Sequence, residues 1–141
     1  MPANNHRQSI IITSFGYKSQ RIIQSNMLFD VRFLDNPFWE PTLRDLTGLD
    51  LEVKNYVLNQ VSAQEFISDV LSMLTKQLDK IMLKLDGDFI LAIGCTGGQH
   101  RSVAIVETLA TQISQKFPGF NLIIKHRELH LEKKYNPVDV K

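Results

Sequence analysis

The sequence predicts an α/β fold, a single three-layer domain with a largely parallel sheet, and three observations point there. Short runs rich in β-branched and aromatic residues, at 9–15, 27–33, 89–95 and 121–126, alternate with longer segments at helical spacing. The run FILAIGC at 89–95 is apolar almost throughout, the character of a central strand buried on both faces. It leads into GCTGGQHRS at 94–102, a glycine-containing turn that opens a helix. Sheets of this kind bind ligands outside the C-terminal ends of their strands.

Taken in order, SIIITSF at 9–15 is a buried first strand that Gly16 can end. MLFDVRF at 27–33 is a second, whose alternation puts Phe29, Val31 and Phe33 on one face and Leu28, Asp30 and Arg32 on the other. Two opposite charges thus share a face late in the strand. Residues 34–50, LDNPFWEPTLRDLTGLD, read as a long ordered loop, and such loops in a compact domain are commonly functional. Asp50 can cap a short helix at about 51–60, and Ser62 with Glu65 has capping-box spacing for the next. That helix, 63–84, carries Phe66, Val70, Leu74, Leu78 and Ile81 on a face suited to packing on the sheet. After the turn DGD at 86–88 comes the central strand 89–95, then a helix at 101–116 with Val103, Ile105, Val106, Leu109 and Ile113 on its apolar side. FPGF at 117–120 breaks it, and NLIIKH at 121–126 is the last predicted strand. The expected organisation is a polar segment at 1–8, a ligand-binding domain at 9–127 and a polar, weakly basic tail at 128–141.

With 141 residues the chain has room for one ordinary domain and one site. A formal charge of +1 supplies no global field to attract nucleic acid or a membrane. A single cysteine forms no internal disulfide, which fits a reducing compartment. The start MPANNHRQ lacks the apolar core of a signal peptide, and no apolar run approaches the roughly 20 residues that span a bilayer. The expectation is a cytoplasmic protein without membrane contact.

The loop at 94–102 carries the chemistry. At a helix start several backbone N–H groups have no internal partner, and the helix dipole adds partial positive charge, so an anion is held well there. Gly97 and Gly98 let the backbone curl closely around a ligand, Thr96 and Ser102 offer hydroxyls, and Arg101 can grip two phosphate oxygens at once. A plain strand-to-helix turn with a solvated Arg101 is the bland alternative. The loop is not a Walker loop, since GxxxxGK[ST] occurs nowhere. A covalent alternative stays open: Cys95, five residues, Arg101 and Ser102 have the spacing of cysteine-dependent phosphatases, with Cys95 as the attacking thiolate. Gly94 stands where those enzymes usually have histidine, and Asp30, Asp35 and Asp45 are only positional choices for the general acid.

SFGYK at 14–18, LFDVRFLDNPFWEPTLRDLTGLD at 28–50 and AIGCTGGQHRSV at 92–103 together resemble the C-terminal domain of the RapZ (YvcJ) family, also called RNase adapter proteins. HRELHLEKK at 126–134 is similar to that family's basic ending. The resemblance implies a regulatory binding domain, not an enzyme, that senses a phosphorylated sugar such as glucosamine-6-phosphate and contacts small RNA. Full-length relatives add an N-terminal P-loop domain, so the expected partners include a separate P-loop or sugar-metabolism protein. By this resemblance Asp30, Arg32, Cys95, Thr96, Gly97, Gly98, His100 and Arg101 match the family's phosphosugar pocket, with Lys18 an additional contact. Where the family commonly has NPHW, this chain has NPFW, so Phe38 replaces a histidine implicated in ligand sensing. Phe38 and Trp39 are therefore specificity positions, and a nucleotide-sugar whose base stacks there is an alternative ligand.

Lys125, Arg127, Lys133 and Lys134 form a weak basic stretch that can touch RNA phosphates, although a solvated surface is the plainer reading. His126 and His130 lack a third ligand, so no metal and no cofactor is expected, and homo-oligomerisation is left open. As a ligand-facing side chain, Arg101 is expected to be removable at little cost to the fold.

Overall fold

The computed structural model describes residues 8–135, which form a five-stranded sheet and three α-helices. Residues 1–7 and 136–141, within the expected terminal segments, lie outside the described residues. Strands β1 (Ser9–Gly16), β2 (Met27–Asp30), β3 (Phe89–Cys95) and β4 (Asn121–His126) run parallel. Strand β5 (Leu131–Lys134) lies antiparallel to β4, giving the order β2-β3-β1-β4-β5. The helices are α1 (Leu51–Leu58), α2 (Val61–Lys84) and α3 (Arg101–Lys116). The α/β class and the largely parallel sheet are as the sequence predicts.

One core lies on one face of the sheet. Ile10 and Ile12 of β1, Leu91 and Ile93 of β3, and Ile124 of β4 meet Leu74 and Leu78 of α2 and Ile105, Leu109 and Ile113 of α3. Each such side chain contributes about 1.5–3 kcal/mol on full burial. The layering differs from the expected three. Crossovers between parallel strands are right-handed, and the order β2-β3-β1-β4 then sends both helical connections across the same face. The β1-to-β2 connection, residues 17–26, crosses the other face without an α-helix. There Ile11, Thr13, Ile90 and Lys125 form part of an open groove of about 450 Å³.

Three local differences have visible causes. β2 stops at Asp30 because its carboxylate accepts the Arg32 N–H at 2.9 Å, an Asx turn that takes the chain out of the ladder. α2 begins at Val61 with Gln60 at the cap, and the Ser62–Glu65 box does not form. The Gln60 side chain instead accepts the Asp35 N–H at 2.8 Å and donates to the Asp35 carbonyl, tying down the 34–50 loop. β5 escaped notice because LEKK has the charged composition of a protected edge strand, not the apolar alternation of a buried one. His130, at φ 53°, turns the chain into it.

Candidate functional site

Gly16, Asp30, Cys95 and His126 end the four parallel strands on one side of the sheet, and the 96–100 loop sits among them. The glycines are fitted to that place. A Cβ on Gly16 would stand 2.6 Å from the carbonyl carbon of Gly97, so β1 and the loop touch backbone to backbone. Gly98 has φ 69°, and a Cβ there would meet Glu128 Cγ at 2.6 Å and Gly16 N at 2.7 Å. Gly97 is different: its Cβ position is open space. Lys18 N–H donates to the Thr96 carbonyl at 2.9 Å, closing the turn after β1 onto the loop.

The backbone N–H groups of Gly97, Gly98, Gln99 and His100 have no acceptor among the described residues. They precede the 16-residue helix α3, whose N-terminal dipole reinforces them. Thr96 and Gly97 are exposed. Gly98 and His100 are buried and Gln99 is half-buried, so the loop combines an exposed edge at Thr96 and Gly97 with consecutive backbone donors that lack an internal acceptor, a feature shared with turns that hold a phosphate or carboxylate.

Arg101 is only 4% exposed. Its Nη1 donates to the carbonyls of Arg32 at 3.1 Å and Leu34 at 3.0 Å, and its Nη2 lies 3.4 Å from Thr96 Oγ1. Its Nε is buried and unpartnered among the described residues. The expectation that Arg101 can be removed at little cost to the fold is thus corrected: it anchors the loop after β2, with one donor to spare. His100 is likewise buried. Its Nε2 lies 3.1 Å from the Arg44 carbonyl, while Gln99 Nε2 donates to the carbonyls of Arg44 and Leu46. Both side chains hold the 34–50 loop instead of reaching over the glycines. Burial holds the His100 imidazole below its ordinary value, against hydrogen bonds that it donates to the backbone of Arg44, Leu43 and Leu46.

At the end of β2, Arg32 Nε and Nη2 grip the Asp30 carboxylate at 2.7–3.0 Å, and the Arg32 guanidinium stacks 4.0 Å over the Tyr17 ring. The Arg32 hydrogen bond holds Asp30 below the usual carboxylate range, and Arg101 adds to this. Phe38 and Trp39 are exposed and edge-to-face at 5.3 Å, with the Arg44 guanidinium 4.8 Å from the Phe38 ring centre. Cys95 is buried at 2% exposure, its Sγ 3.1 Å from Ser102 Oγ and accepting the Ser102 N–H at 3.4 Å.

Sequence reasoning passed over Tyr17, Gln99 and Arg44, all inside motifs it quoted; only the fold shows that they touch Arg32, Leu46 and Phe38. Of the basic residues nominated for RNA, Lys125 pairs with Glu132, Lys133 with Glu107 and Arg127 with Glu128. Arg127 also donates to the Gly16 carbonyl and Ser19 Oγ, so it fastens the 16–22 segment. Among the described residues no three metal-ligating side chains cluster, and no helix is long and apolar enough to cross a membrane.

A mostly parallel sheet whose strand ends surround a glycine loop and the start of a buried helix defines an α/β domain. The chain belongs to the RapZ C-terminal domain family, whose profile matches residues 8–130. It is 44% identical over 121 residues to a nucleotide-binding protein of Lactobacillus acidophilus, covering 86% of this chain and 40% of that one. It is 43% identical over 123 residues to one of Leifsonia xyli, covering 87% and 41%, and 39% identical over 124 residues to one of Staphylococcus aureus, covering 88% and 41%. The chain thus spans about two fifths of the length of these relatives.

Proposed function

We propose that this domain is a regulatory sensor that binds a phosphorylated small molecule, a sugar phosphate such as glucosamine-6-phosphate or a nucleotide-sugar, without turning it over. The observation that carries the reading is the run of four amide N–H groups, Gly97 to His100, without an acceptor among the described residues. A phosphate seated on them would lie next to Thr96, whose hydroxyl is 3.4 Å from Arg101 Nη2, with Lys18 and Arg32 following the neighbouring strand ends. Asp30 then faces sugar hydroxyls or an amino group, and Phe38 and Trp39 offer faces for a sugar ring or base. The relatives' shared name, nucleotide-binding protein, is in keeping with a phosphorylated ligand.

Binding is favoured over thiol chemistry because Cys95 is buried against Ser102 and the Arg101 guanidinium is committed to two carbonyls. Signalling to a separate P-loop or sugar-metabolism protein in the cytoplasm completes the proposal. RNA contact through 125–134 is the weaker part, since of its four cations only Lys134 makes no ion pair among the described residues.

Thermal-shift and calorimetric titrations with inorganic phosphate, glucosamine-6-phosphate and a nucleotide-sugar test this. A ligand that binds only the folded state raises the melting temperature. Stabilisation by at least one phosphorylated ligand is expected, with Cys95→Ser binding it within about tenfold and no hydrolysis of an aryl phosphate by the wild type. No stabilisation by any of the three would refute the reading.

A further inference from the structure

Behind the glycine loop lies a constellation that the proposed ligand contacts do not use. His126, at the end of β4, is fully buried. Its Nδ1 is 2.7 Å from Ser14 Oγ of β1, and its Nε2 is 2.8 Å from Glu107 Oε2 of α3. Lys133 of β5 donates to the other Glu107 oxygen at 3.2 Å. Burial works to raise Glu107, yet the His126 and Lys133 contacts outweigh it and hold the carboxyl below its usual range. An ionised carboxylate only accepts, so Nε2–H donates to Glu107, and the Nδ1 contact joins the other side of the ring to the Ser14 hydroxyl. Ser14 is itself fully buried, so its hydroxyl is no nucleophile despite the Ser-His-Glu composition.

The chain connectivity shows what this arrangement fixes. Ser14 is two residues before Gly16. Arg127 and Glu128, directly after His126, clasp Gly16 from both sides: Arg127 Nη2 donates to the Gly16 carbonyl at 3.3 Å, and Glu128 accepts the Gly16 N–H at 2.8 Å. Gly16 in turn is the surface on which Gly97 and Gly98 rest. We propose that Ser14, His126 and Glu107 are positioning residues that lock the ends of β1 and β4 to α3 and so set the backbone donors of the 97–100 loop. Their functional consequence rests on the anion-binding reading above, whereas their effect on the loop itself does not.

The test uses the full chain carrying Ser14→Ala, Glu107→Ala or Glu107→Gln. Without ligand, the amide resonances of Gly97 and Gly98 are expected to move in the two alanine variants, and inorganic phosphate affinity to fall by about tenfold, some 1.4 kcal/mol. Glu107→Gln, which keeps an acceptor for Nε2, should return both readouts toward wild type. Val70→Ala, a core truncation in α2, controls for general destabilisation: it should lower the melting temperature without moving either readout. Unmoved Gly97 and Gly98 resonances in Ser14→Ala and Glu107→Ala would overturn the proposal. If one alanine variant does not fold, the other and Glu107→Gln carry the same readouts. Failure of wild type to bind phosphate would instead sink the anion-binding reading, leaving the resonances to decide the positioning role.

Discussion

The guanidinium of Arg101 donates to the main-chain carbonyl of Leu34 at 3.0 Å, so the first residue of α3 holds the loop that follows β2. Arg101→Ala is therefore expected to lose both binding and stability. Two hydrogen bonds from a charged, buried donor disappear and leave carbonyls behind, which costs about 2–4 kcal/mol. Urea unfolding of the variant beside phosphate titration measures the two losses; a variant of wild-type stability would show that the anchor is idle.

Gly97 and Gly98 separate ligand access from loop geometry. A methyl on Gly97 points into open space, so Gly97→Ala should leave the melting temperature nearly unchanged while weakening phosphate binding by tenfold or more, about 1.4 kcal/mol. Gly98→Ala faces a positive φ and contacts with Glu128 and Gly16, and should destabilise by at least about 1 kcal/mol. Calorimetry and thermal melts of the pair give the comparison. Equal effects from both would contradict it.

In the proposed reading, Phe38 lies at the sugar end of the ligand. If the histidine that the family resemblance implies at this position makes a polar contact, an apolar ring here removes it, worth on the order of 1–3 kcal/mol when the partner group is buried. Phe38→His should shift preference toward glucosamine-6-phosphate over other phosphorylated ligands, read by titrating both proteins with one panel. Tight, selective glucosamine-6-phosphate binding by wild type, unaltered in Phe38→His, would place the residue outside the recognition surface.

Stability should fall in two stages on acidification. Burial depresses His100 below 6.5, so between that value and its folded one the unfolded chain binds more protons. Stability is therefore full above about 6.5 and declines as pH drops below it. Glu107 and Glu128 are held below 4.5, because hydrogen bonds to His126 and Lys133, and to Gly16, Arg127 and Arg21, outweigh the burial that raises them. Their contribution is complete above 4.5 and disappears as pH falls through the lower folded values. Unfolding free energy against pH should show both stages, and His100→Gln should flatten the first alone.

Much of this was readable in the chain. FILAIGC and SIIITSF announce buried parallel strands because their apolar character is continuous, and the glycines of 94–98 mark close packing at the strand-to-helix turn, where β-carbons would clash with Phe15 and Tyr17 at 94 and with Glu128 and Gly16 at 98. Orientation was not readable. That Arg101 and His100 turn toward the carbonyls of 32–44 depends on how the 34–50 loop folds back over α3, a long-range event that leaves no periodic trace. The Ser14–His126–Glu107 contacts join residues up to 112 positions apart, which no local pattern reveals. β5 was hidden by its own charges.

Position 38 has a freedom that its neighbours lack. Arg101, His100 and Gly98 each tie together distant parts of the chain, so changing any of them disturbs the scaffold. The Phe38 ring meets Trp39 and the Arg44 guanidinium at the surface, 42% exposed, and lies outside the core. A lineage can therefore replace this side chain with little penalty in foldedness. If the proposed ligand is bound there, the preference at such a position can drift, duplicate or revert by single substitutions while the glycine loop beneath stays under constraint.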